Sequence, residues 1–299
     1  MALTTQAHVR TRLKSLFREA VFEQVIYVNP MDAVKPPKMG RSLTAGQPLD
    51  FDEAARLHTI GTALYQAERL RLWIAVFTAV SVGLRRGEVM GLTWKDVDFN
   101  SGILYVRQTR VMGENEVETG LPKTKNSRRE IQMPPSLIAA LQDHRQTQLA
   151  EQAQAGSAWR KTGAVFATAL GDWTHPDNLK RAVQTILKWS NPTILKREEG
   201  KPWVWKGVPR EHRAALIAAV QAGTALPDIS PHDLRHTYAT LALRRGVPIE
   251  VVSRNLGHAS ISITWDIYRH VLDSERRSHV VDLFEMVPPV PVGLPAALN

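Results

Sequence analysis

Apolar positions recur at helical spacing along most of the chain. Ala7 to Val28 reads as one amphipathic helix, and similar patterns cover Asp52 to Glu68, Leu70 to Val82 and Ser136 to Ala153. Further helices are expected at Pro176 to Trp189, Asp233 to Arg245, Ile249 to Asn255 and Ser262 to Leu272. Between these patterns, Ile103 to Val111 and Arg129 to Met133 are rich in residues that favour a pleated surface, and Ala164 to Ala167 is a shorter candidate strand. The expected fold class is therefore mainly α with a small antiparallel β-sheet, an α+β architecture.

The segment from Asn29 to Lys38 carries three prolines, which prevent helix and predict an extended linker. It separates residues 1–38 from a larger domain over 39–287, and the proline-rich tail at 288–299 is expected to be disordered. Inside the larger domain, about 190–229 reads as an insertion. It holds Lys201, Trp203, Trp205 and Lys206, then a helical pattern over Arg210 to Ala222.

The longest apolar run, Leu72 to Leu84, is too short to span a bilayer. The first residues carry Arg10, Arg12, Lys14 and Arg18 where a signal peptide would need an apolar stretch, so the expected location is cytoplasmic and off the membrane. The chain has no cysteine, which removes disulfides and thiolate metal sites. Lys plus Arg is 38 against 29 for Asp plus Glu, a formal charge of +9 that suits a partner rich in phosphates.

Several segments could handle such a phosphate. Ser230-Pro231-His232-Asp233-Leu234-Arg235 opens with a capping serine, its acidic partner three residues on, and proline at the first helical position. His232 and Arg235 then share one face beside the free N–H groups of the helix start, an anion site. At the end of the apolar run, GLRRGE places Arg85 at a glycine turn, where its planar fork can grip phosphate oxygens and Glu88 can orient it. Pro122 to Arg129 lies between the two expected strands, and Asn126-Ser127 suits a hairpin tip. That places Lys125 where it could donate a proton, with Lys123 competing for the role and Arg128 and Arg129 as further DNA-binding candidates. Finally, Gly257 marks a helix end before His258, and Tyr268 follows inside DIYRH.

Taken in order, Arg85, Lys125, His232, Arg235, His258 and Tyr268 resemble the tyrosine recombinase, or phage-type integrase, family. GLRRGE, PKTKNSRREI, HDLRHTYAT, NLGHASISIT and DIYRH each look like the corresponding family segment over about Gly40 to Leu283. The resemblance implies a catalytic domain of a phage or mobile-element enzyme for DNA integration, preceded at 1–38 by the C-terminal remnant of a helical core-binding domain and its linker. It implies that Arg85 and Arg235 clamp the scissile phosphate and that Tyr268 attacks it to form a 3′-phosphotyrosine. Lys125 would protonate the leaving 5′-oxygen, with His232 and His258 assisting. It also implies double-stranded DNA attachment sites as partners, a homotetramer on DNA, and a C-terminal stretch, Ser274 to Met286, able to dock on a neighbouring protomer. Two arginines and two histidines can balance the charge of phosphoryl transfer without a metal. Neither an acidic cluster with two-metal spacing nor a GxxxxGK[ST] loop occurs, so no cofactor and no metal are expected. Two other readings stay open: a non-catalytic DNA-binding remnant, and a type IB topoisomerase or resolvase built on the same residues.

Overall fold

A computed structural model describes residues 3–37, 47–112, 117–120, 128–193, 210–221 and 224–275. The chain divides into two units, Met1–Ala45 and Gly46–Asn299. In the first, helix α1 (Leu3–Phe22) is followed by a single 3-10 turn at Pro30–Asp32. The proline segment is not extended as the sequence predicts. It folds back on α1: Arg10 donates twice to the Val34 carbonyl, at 3.0 and 2.7 Å, and Lys14 pairs with Asp32 at 2.7 Å.

The second unit begins at α2 (Phe51–Gln66), whose start is fixed by a reciprocal cap. The Asp50 carboxylate accepts from the Glu53 N–H at 2.8 Å while Glu53 accepts from the Asp50 N–H at 2.9 Å. Leu57, Ile60 and Leu64 then lie buried along one stripe against α3 (Trp73–Val82), which is apolar on nearly every side and runs through the core. Each such side chain withdrawn from water contributes about 1.5–3 kcal/mol. Short helix α4 (Arg86–Met90) leads to strands β1 (Val97–Asp98), β2 (Ile103–Val106), β3 (Thr109–Met112), β4 (Val117–Gly120) and β5 (Arg129–Gln132). Then come α5 (Pro135–Ala155), α6 (Asp177–Ser190), α7 (Arg210–Gln221), α8 (Pro231–Arg244), α9 (Ile249–Leu256) and α10 (Ile261–Glu275).

Strands β1, β2 and β5 form one antiparallel sheet, with Leu104 opposite Ile131, and alternation turns Leu104, Val106 and Ile131 into the core. The expected strand at 103–111 is in fact two. The chain leaves the sheet after Val106, the Gln108 amide donates to the Gly91 carbonyl at 2.6 Å, and β3 pairs separately with β4. Lys123, Lys125 and the expected tip Asn126-Ser127 lie outside the described residues. Ala164 to Ala167 makes isolated bridges, Thr93 to Ala164 and Ala167 to Trp173, and no strand.

Within the stretch expected as an insertion, Trp203 and Trp205 also fall outside the described residues. Helix α7 packs on α2, and Val220, Leu226 and Ile229 join the main core. A second, smaller cluster lies between α8, α9 and α10, made of Ala239, Leu243, Val252, Leu256, Tyr268 and Val271. Among the described residues no helix is long and apolar enough to cross a membrane.

Candidate active site

Helix α3 ends at Gly83 in the left-handed conformation, φ +69°, which only glycine adopts without strain. Two residues later Arg85 caps α4 with extended backbone. Its N–H donates to Glu88 Oε2 at 2.8 Å and its Nη1 to Oε1 at 2.9 Å, which fixes the base of a side chain that remains 42% exposed. Glu88 itself is buried at 4% exposure. From β5, Arg129 donates Nη1 to Oε1 at 3.0 Å and Nη2 to Oε2 at 2.8 Å, and its Nε reaches the Asn255 carbonyl at 2.6 Å. Burial pulls the Glu88 carboxyl upward, yet the hydrogen bonds and charge of Arg129, then those of Arg85, outweigh it and hold the group below its usual value. One buried carboxylate therefore unites α4, β5 and the end of α9.

Arg235 approaches the same place from α8. The start of that helix is as expected: Ser230 and Pro231 cap it, and Asp233 Oδ2 accepts from both the N–H and the hydroxyl of Ser230 at 2.7 Å. Arg235 is 3% exposed, and its guanidinium donates to the Gly83 carbonyl at 2.8 Å and the Leu256 carbonyl at 2.5 Å. Both acceptors sit at helix C-termini, where unpaired carbonyls carry the negative end of the dipole. That compensates a buried cation. Burial, followed by the nearby charge of Arg85, still brings its pKa down to about 9, which leaves it charged at neutral pH.

Three imidazoles gather around this pair. His232 is exposed in the first turn of α8 and is pushed down by desolvation, then by Arg235. His258 follows the left-handed Gly257, φ +65°, which ends α9, and its Nδ1 lies 2.8 Å from Thr264 Oγ1. Burial and then the charges of Arg235 and Arg85 lower it to about 4. His236, one turn beyond His232, sets its ring edge-on to that of His232 at 4.6 Å. Its Nδ1 lies 2.7 Å from the Tyr268 hydroxyl. Tyr268 projects from α10 into the smaller core at 2% exposure, and burial raises its pKa strongly, only partly offset by Arg235. Two open grooves reach the cluster. One, of about 650 Å³, is lined by Arg85, Arg86, Arg110, Lys180 and His232. The other, of about 810 Å³, is lined by Arg128, Glu250, Arg254, His258 and Ser260 among others.

The structure thus brings Arg85, Glu88, His232, Arg235, His258 and Tyr268 into one neighbourhood. Arg128 is exposed, at the mouth of a groove. Arg129, expected to face DNA, turns inward at 8% exposure to neutralise Glu88, because a carboxylate buried without a cation would be too costly. Among the described residues no group of three or more acidic, histidine or cysteine side chains could hold a metal.

Comparison with known proteins gives the family and the fold. The family model described as the phage integrase family matches residues 47–275. The chain belongs to the phage integrase family. A tyrosine recombinase XerC-like protein of Caldanaerobacter subterraneus subsp. tengcongensis is 34% identical over 228 residues, covering 72% of this chain and 50% of that protein. An integrase of Streptomyces ambofaciens is 27% identical over 232 residues, 76% of this chain and 52% of that one. The chain spans about half the length of these relatives. The Tn1549 transposon integrase, in complex with a circular intermediate DNA, shares the fold at a TM-score of 0.63 and 19% identity, covering 94% of this chain and 80% of that one.

For this phage integrase family chain, reading the sequence missed His236. The signal was present: His236 is four residues after His232 on the same expected helix, so both project from one face. What the pattern did not contain was the tyrosine's approach from another helix, 32 residues away.

Proposed function

We propose that this chain is the catalytic part of a metal-independent site-specific DNA recombinase that cuts and rejoins strands through a 3′-phosphotyrosine. The observation that carries the reading is the gathering of Arg85, of His232 and Arg235 from α8, and of His258 beside a tyrosine of α10, with Arg85 and His232 opening into one basic groove. Arg85 and the buried Arg235 supply fixed positive charge for the non-bridging oxygens of the scissile phosphate, whose charge grows toward the transition state. The Tyr268 oxygen bonds to phosphorus as the bond to the 5′-oxygen breaks. Lys125 gives the leaving oxygen its proton. His232, exposed beside the groove and with its pKa lowered by burial and then by Arg235, takes the phenolic proton, and His258 assists at the phosphate.

Running the steps backward with a new 5′-hydroxyl rejoins the strand, and the phosphotyrosine link conserves the bond energy in between. The substrates are double-stranded attachment sites reached in the cytoplasm, and four protomers work together on DNA. Arg128 on the groove rim, with Lys123, adds phosphate contacts.

The test uses the full-length recombinase and a nicked suicide substrate carrying the attachment site, located by sequencing repeats that flank the gene. A covalent protein–DNA adduct should appear on a denaturing gel and vanish in Tyr268→Phe. No adduct from the unaltered protein on its own site would refute the catalytic reading.

A further inference from the structure

A nucleophile that must meet a phosphate arriving from solvent is, in this structure, shut inside the protein. Tyr268 is 2% exposed and packs with Ala239, Leu243, Val252 and Leu256, while the groups that would face the phosphate, Arg85 and His232, line an open groove. Among the described residues its hydroxyl is held by His236 Nδ1, at 2.7 Å, with the ring centroids 5.7 Å apart.

We propose that His236 is a positioning residue that latches the nucleophile: by accepting the hydrogen bond of the Tyr268 hydroxyl it keeps the phenol withdrawn, and α10 must release it before a strand can be cut. This rests on the reading of Tyr268 as the nucleophile.

The chemistry of the contact favours restraint over proton transfer. His236 faces His232, Asp233 and Arg235 of its own helix, Tyr268 of α10, and His258 ahead of α10. Burial and then His232 lower its pKa to about 4, so at neutral pH it is uncharged, and the latch requires the tautomer with its proton on Nε2 and Nδ1 free to accept. Burial makes the tyrosine a poorer acid than in water. A weakened base set against a weakened acid leaves the proton on the phenol. The helix that carries the clamp arginine therefore also holds the nucleophile back, one residue further along. A net hydrogen bond of ordinary strength shifts such an equilibrium by about two- to tenfold.

The test compares His236→Phe, which keeps the ring and removes the acceptor, with His236→Asn, whose Oδ1 replaces Nδ1. Nitration of Tyr268 by tetranitromethane in the full chain without DNA, read by peptide mass spectrometry, should be about two- to tenfold faster in His236→Phe and unchanged in His236→Asn. On the suicide substrate, first-turnover adduct formation should rise in the Phe variant and stay at the wild-type rate in the Asn variant. Equal nitration in wild type and His236→Phe overturns the latch. So does slower cleavage in the Phe variant that the Asn variant restores, since His236 would then be promoting attack. Should His236→Phe not fold, the nitrogen NMR signal of His236 Nδ1 in Tyr268→Phe decides the matter: the latch requires it to shift, and an unmoved signal overturns it. If no variant forms an adduct, the recombinase reading fails, while nitration and NMR still report on the latch.

Discussion

Glu88 offers the sharpest test of how the candidate site is held. Its two oxygens accept four hydrogen bonds: from the N–H and Nη1 of Arg85, and from Nη1 and Nη2 of Arg129. Glu88→Gln keeps the shape but leaves one oxygen, and its new NH₂ group points at donors. Arg129, 3% exposed at its side chain, would then be a buried cation that has lost the Glu88 carboxylate. Removing one partner of a buried ion pair costs about 3–5 kcal/mol, roughly a 6–20 °C fall in melting temperature for a domain of this size. Replacing both partners with apolar residues, Glu88→Leu with Arg129→Met, should recover much of that loss, because the uncompensated charge leaves with its carboxylate. Thermal melting followed by tryptophan fluorescence measures both. A Glu88→Gln protein that melts within about 2 °C of wild type would show that the buried pair carries no stability, and the account of how Arg85 is fixed would fall with it.

Two further outcomes follow from the geometry. Gly83→Ala puts a side chain at φ +69° and a Cβ 2.4 Å from the Tyr238 ring, so it should cost about 1–3 kcal/mol in a denaturant melt and lower adduct formation by displacing the carbonyl that holds Arg235. His236 and His258 are both lowered to about 4, chiefly by burial, from an ordinary 6.5, so the unfolded chain takes up protons first. Their contribution is complete above pH 6.5 and is lost as the pH falls toward 4, and a melting temperature that stays flat over that window would contradict their burial as neutral groups.

What could be read from the sequence was what is local. Ser230, Pro231 and Asp233 mark the start of α8, and the glycines at 83 and 257 mark the ends of α3 and α9, because caps are settled by a few neighbouring residues. Arg85, His232, Arg235 and His258 stood out as candidates for the same reason, each lying at such a helix boundary or about one turn from it, whereas Tyr268 sits in the middle of α10. Pairings over long separations were not. Arg129 looks like one of a run of basic residues, and only the sheet brings it to Glu88, 41 positions earlier. The strand at 103–111 reads as continuous, yet Gln108 and Gly91 divert it. Likewise the Pro30 turn depends on Arg10 and Lys14 closing over it, which no proline count reveals.

Arg235 also joins two bodies of apolar packing. Gly83 ends a helix of the main core and Leu256 ends one of the smaller cluster, and the guanidinium bridges both. It works as a gauge block whose seat is cut half in each part. A slip of α9 against α3 by a fraction of a hydrogen-bond length would rob it of an acceptor while leaving every helix intact. Activity should therefore fail at gentler heating or denaturant than the fold does, and the protein would lose its chemistry before its shape.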